Sequence, residues 1–135
     1  MSEGLHADLT ERIIGAAMEV HRPLGPGLDE KIYETALCVE FGLRNLHFDQ
    51  QKRHPVYFKG RPVGTAITDL IIDNSVVVES KVVDTLHETH VAQLLTYLRL
   101  TRLQVGLLLN FKNYSLQFKR ITISKPSSQS AESLS

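Results

Sequence analysis

The stretch TDLIIDNSVVVESKVV, residues 68–83, decides how the rest of the chain is read. Two apolar runs flank Asp73, Asn74 and Ser75, a turn-forming triplet, so the stretch reads as two antiparallel strands joined by a hairpin. Three valines then run into Glu79 and Lys81, and side chains two apart on a strand share a face. A strand bound for the core thus carries a carboxylate beside an ammonium, with Asp69 on the strand before it. If the turn takes three residues, Ile72 pairs with Val76 and Asp69 falls opposite Glu79, their Cβ atoms about 5 Å apart. A two-residue turn shifts the pairing by one and sends the two acids to opposite faces.

Two close carboxylates in apolar surroundings repel, and one must hold a proton unless a cation lies between them. Mg²⁺ suits such a pair, because it binds through one or two carboxylates, keeps several waters and leaves room for phosphate oxygens. The lysine beside them is suited to orienting or deprotonating an ion-associated water, or to neutralising charge in a transition state. Asp69, Glu79 and Lys81 together therefore suggest phosphodiester cleavage. A bare Glu-x-Lys is more often a solvated ion pair, so the reading needs support from elsewhere in the chain.

Outward from the hairpin, Leu9, Ile13, Ala17 and Val20 recur at helical spacing to about His21, with Thr10 or Asp8 as the cap, and RPLGPG ends that helix. A second helix is expected from about Leu28 to Leu46 with a core stripe of Ile32, Ala36, Val39, Leu43 and Leu46. HPVYFKGRPVGTAITDLIIDNSVVVESKVV reads as three strands turning at KGRP and DNS. DTLHETHVAQLLTYLRLT returns to helical period with Val91, Leu94, Leu95 and Leu98 on one face, and Thr85 with Glu88 resembles a capping box. VGLLLNF suits a central strand covered on both faces, and SLQFKRITIS alternates. The expected fold is α/β, a mixed sheet with helices on its faces in the order α-α-β-β-β-α-β-β. Residues 1–123 read as one domain, and 124–135 as a disordered tail too polar to offset the entropy of ordering.

Composition narrows the function. Fifteen basic and fifteen acidic residues give no net charge, which argues against a generic polyanion binder while leaving a local basic patch open. The single cysteine, Cys38, excludes an intrachain disulfide and fits a reducing, cytoplasmic setting. No apolar run has the length of a membrane span, so no membrane partner is expected. The six histidines show no pattern suited to structural zinc, and no phosphate-cradling glycine loop is present.

Glu30, Tyr33, Leu37 and Phe41 form a second stripe on the second helix, which predicts a helix sandwiched between layers with Glu30 turned inward. A carboxylate in a first helical turn is also favoured by the macrodipole alone. On the third helix, Gln93 and Tyr97 lie one turn apart beside the apolar face, a position that by itself reads as the ordinary polar flank of an amphipathic helix.

EVHRPLGPGLDEKIY, where Gly27, Glu30 and Tyr33 spell GxxExxY, together with TDLII, VVVESK and HVAQLLTYLRL, resembles the GxxExxY protein family of the PD-(D/E)XK nuclease superfamily. The resemblance spans about Leu9 to Ile123. It implies a restriction-endonuclease-like core and Mg²⁺- or Mn²⁺-dependent cleavage of DNA or RNA. Carried across, Asp69, Glu79 and Glu30 would serve the metal, Lys81 would be the motif lysine, and Gln93 and Tyr97 would support from the following helix, with Tyr33 at the substrate or in a supporting role. Similar proteins usually have arginine where this chain has Ile67 and leucine where it has Ser80, which predicts a missing phosphate contact and a looser or more exposed strand. The competing expectation is a non-catalytic nucleic-acid or protein binding module on the same fold; a small-nucleotide phosphohydrolase is more remote. A chain this small has little surface for a nucleic-acid groove unless a homodimer or partner completes one.

Overall fold

The computed structural model describes residues 4–125; the expected tail beyond residue 125 lies outside them. Two helices, α1 (Ala7–Leu24) and α2 (Glu30–Leu43), lead into strands β1 (Phe48–Phe58), β2 (Arg61–Ile72) and β3 (Val76–Lys81). Helix α3 (Glu88–Thr101) then crosses to β4 (Val105–Asn110), and β5 (Gln117–Thr122) follows. One sheet holds the strands in the order β1-β2-β3-β4-β5, with β3 and β4 parallel and the other neighbours antiparallel. The parallel pair needs a crossover, because β4 must start at the edge where β3 started, and α3 supplies it. The α/β order expected from the sequence is the one observed.

The period of two along each strand divides the core. Leu70, Ile72, Val76, Val78, Leu107 and Leu109 face α1 and α2, where Ile13, Ala17, Leu37 and Phe41 cover them. Ile71, Val77 and Leu108 face Leu94 and Leu98 of α3. Every residue of β4 is buried, as befits a central strand covered on both faces. Gly106 lets α3 lie close, since a Cβ there would fall 2.8 Å from Leu94 Cδ1.

The decisive turn takes three residues: Ile72 pairs with Val76, with Asp73 and Asn74 at φ 53° and 52°. Strand β1 begins at Phe48, six residues earlier than HPVYF suggested, and a two-residue turn at Lys59 and Gly60 joins it to β2.

Several local expectations fail for tertiary reasons. On α2 the buried face is Tyr33, Glu34, Leu37 and Phe41, while Ile32, Val39 and Leu43 are exposed. The helix is therefore covered on one side, not sandwiched. Both stripes are apolar, and the winning one carries Tyr33, which stacks on Phe111 of the β4 end. Helix α1 starts at Ala7 with Asp8 and Thr10 inside it, and it runs through Pro23 to Leu24, the Gly25 N–H closing on His21 O at 2.8 Å. Helix α3 starts at Glu88, past the Thr85 cap; instead the His87 N–H donates to His90 Nδ1 at 2.9 Å. Ahead of the helix, the buried Asn110 side chain holds the Val83 backbone, accepting its N–H at 3.1 Å and donating to its carbonyl at 2.8 Å.

Candidate active site

The β2–β3 ladder runs only from Ile72↔Val76 to Leu70↔Val78. Beyond it the two acids bridge the strands. Glu79 Oε2 accepts the Asp69 N–H at 2.9 Å, and Asp69 Oδ2 accepts the Ser80 N–H at 3.3 Å. Amides that would otherwise need strand partners are thus satisfied by carboxylates. One residue on, Lys81 Nζ donates to Gln93 Oε1 of α3 at 3.1 Å. The Lys81 carbonyl accepts the Phe111 N–H at 2.9 Å, which fixes the strand end that carries the lysine.

Burial sets the electrostatics. Glu79 is 3% exposed. Desolvation, and after it the charge of Asp69, pushes its carboxyl from 4.5 up to about 8, against the opposing Asp69 amide and Lys81. Asp69 is also raised, first by burial and then by Glu34. Glu30, expected to turn inward, is instead exposed, because α2 is covered on one side only; desolvation on its protein side still raises its carboxyl, which Lys81 opposes and Asp69 adds to. The Tyr97 hydroxyl is raised by burial and then by Glu79 and Asp69. Glu30 and Tyr97, from helices on opposite faces of the sheet, therefore both feel the same acidic pair.

Glu34 belongs to this group and was missed in the sequence. It is 3% exposed and accepts hydrogen bonds from Gln50 Nε2 at 2.8 Å, Gln51 Nε2 at 3.0 Å and Lys31 Nζ at 3.3 Å. Gln51, at φ 52°, interrupts the β1–β2 register opposite Asp69, and its Nε2 lies 3.5 Å from Asp69 Oδ1. The available signal was spacing: Glu34 is four residues after Glu30 and shares the Tyr33–Leu37–Phe41 side of the helix.

The remaining expected residues fall as follows. Tyr33 is fully buried away from the acids; its hydroxyl donates to Gly25 O at 2.5 Å and accepts the Leu28 N–H at 3.2 Å, and its ring stacks on Phe111 at 4.6 Å. With Gly27 at φ 105°, a conformation suited to glycine, Tyr33 ties the GPG loop to α2 and so fixes the turn from which Glu30 projects. Ser80 is fully buried, contrary to the expected exposure, and among the described residues its Oγ has no hydrogen-bond partner.

The donor set fits a hard divalent ion. Asp69 and Glu79 each commit one oxygen to an amide, and the other is a carboxylate oxygen of the type Mg²⁺ or Mn²⁺ prefers. Among the described residues, no three His, Cys, Asp or Glu side chains close on a common point, so an ion here would complete its shell with water and substrate. Glu30 stands within electrostatic reach without closing that group.

No helix among the described residues is long and apolar enough to cross a membrane. No curated protein matches the chain. The solved structure titled "Crystal structure of SSO0001" is similar in fold at 21% identity and a TM-score of 0.56. The match covers 76% of this chain and 54% of that one, so the chain spans about half the length of that relative. The family model described as the PD-(D/E)XK nuclease superfamily matches residues 7–121. With that match over most of its length, the chain belongs to the PD-(D/E)XK nuclease superfamily.

Proposed function

We propose that this chain, as a member of the GxxExxY group, is a divalent-metal-dependent nuclease hydrolysing phosphodiester bonds of DNA or RNA. The observation that carries the reading is the acidic pair bridging β2 and β3 where their ladder ends, with Lys81 held beside it by Gln93. Asp69 and Glu79 would hold Mg²⁺ or Mn²⁺, which when bound supplies Lewis acidity toward water and the phosphoryl oxygens. Lys81 orients the attacking water and offsets negative charge gathering on the phosphate. Gln93 fixes the ammonium; Tyr97 closes the α3 side; Glu30 orients water from the α2 side.

The test is cleavage of single-stranded, double-stranded and branched oligonucleotides with Mg²⁺ or Mn²⁺. Asp69→Ala and Lys81→Ala are each expected to lower the rate by at least about 10²-fold with circular dichroism unchanged. A pure preparation inert on all three substrates with both metals would sink the reading in favour of a non-catalytic binding module.

A further inference from the structure

Strands β1 and β2 pair from Phe48↔Ile72 out to Phe58↔Arg61, while β3 reaches only Leu70. Asp69 is still tied to β3 and Thr68 is still fully buried; beyond Thr68 the hairpin leaves the sheet as a two-stranded arm. Tyr57, Phe58, Val63 and Ile67 are exposed on it, Phe58 by 63%. Between residues 50 and 68 the chain has Lys52, Arg53, Lys59 and Arg61 and no aspartate or glutamate. In a protein of zero net charge, that is a concentrated basic segment. Lys59 Nζ lies 5.4 Å from the Phe58 ring centroid, so the tip combines cation and aromatic surface.

We propose that this arm binds nucleic acid, its cations following the phosphate backbone and its tip aromatics stacking on bases. The inference rests on the nuclease reading above and names how that site's substrate is held. The strand that bears Asp69 runs straight into the arm. Eight residues separate Asp69 from Arg61, about 26 Å at ~3.3 Å per residue, or roughly seven to eight base pairs from the acidic pair. A second copy of the chain is a poor occupant, because two such arms repel. Lysine and arginine on a long edge strand also discourage edge-to-edge pairing, and a purely protective arm would leave nucleic-acid affinity untouched by its removal.

The experiment is fluorescence anisotropy of the full chain with a labelled duplex of about 30 base pairs carrying a single-stranded extension, in EDTA so that nothing is cleaved, from 50 to 200 mM salt. Each lost phosphate contact should flatten the log–log salt slope by ~0.9 and weaken binding roughly eightfold at 0.1 M salt. Lys59→Ala with Arg61→Ala is therefore expected to cost about 60-fold and about two units of slope. Phe58→Ala should weaken binding with little change of slope, and Lys119→Ala on β5 should bind as wild type. Wild-type affinity and slope in the arm variants, or no binding by the wild type, would overturn the proposal. Because this assay needs no turnover, absence of cleavage in the previous test condemns the nuclease reading alone.

Discussion

Replacing Glu79 with glutamine should remove a large pH dependence from the stability of the metal-free protein. The folded carboxyl is pushed up from 4.5 to about 8. Between those values the native state keeps a proton that the unfolded chain releases, so stability falls as pH rises. The stabilising contribution is complete below about 4.5 and lost on passing about 8. At ~1.4 kcal/mol per pH unit the rise corresponds to something on the order of 5 kcal/mol, a large share of a small domain's stability. Glutamine retains an oxygen for the Asp69 N–H and carries no titratable group. Urea unfolding in EDTA from pH 5 to pH 9 should show wild-type stability falling away from that of Glu79→Gln, most steeply between about pH 5.5 and 7 and levelling off above about 8. The slope is the readout, because the new amide shifts the level of the whole curve. Mg²⁺ or Mn²⁺ should restore wild-type stability at pH 8 and leave the variant nearly unchanged, since a cation replaces the proton only on a carboxylate. Parallel curves for the two proteins across the range would refute the argument that Glu79 is buried and protonated.

Other perturbations read single contacts. Tyr33→Phe keeps the stack on Phe111 and strands the Gly25 carbonyl and Leu28 N–H, so a loss of about 1–2 kcal/mol is expected in urea titration. Ser80→Ala deletes a buried hydroxyl without a partner among the described residues and should stabilise the chain by about 1 kcal/mol, read in the same titration. Gly106→Ala drives a Cβ into Leu94, whose Cδ1, Cδ2 and Cγ would lie 2.8, 2.9 and 3.0 Å away; a loss of about 1–3 kcal/mol by thermal unfolding is expected.

Much of the fold was legible because it is local. The valine run, the period-two alternation and the turn chemistry of residues 73–75 specify antiparallel β2 and β3, and the change to helical period before VGLLLNF specifies a crossover and a parallel strand. The spacing of Glu79 and Lys81 likewise marks a shared face before any contact is known. Sequence alone determined the α/β order and singled out Asp69, Glu79 and Lys81, while Gln93 entered only through the family resemblance. It left open the turn length, and with it whether Asp69 meets Glu79, because hairpin registers one residue apart have similar local energies and differ in what they bury. Only tertiary structure decided that point. It also decided which of two apolar stripes on α2 is covered, since the choice rests on the Tyr33–Phe111 stack and on Glu34 meeting Gln50 and Gln51. The spacing of Glu34 from Glu30 marks its side of the helix but not its role, and nothing local marks Asn110: each acts through partners 16 to 27 residues away, and the burial that gives those hydrogen bonds their weight exists only once the chain has folded.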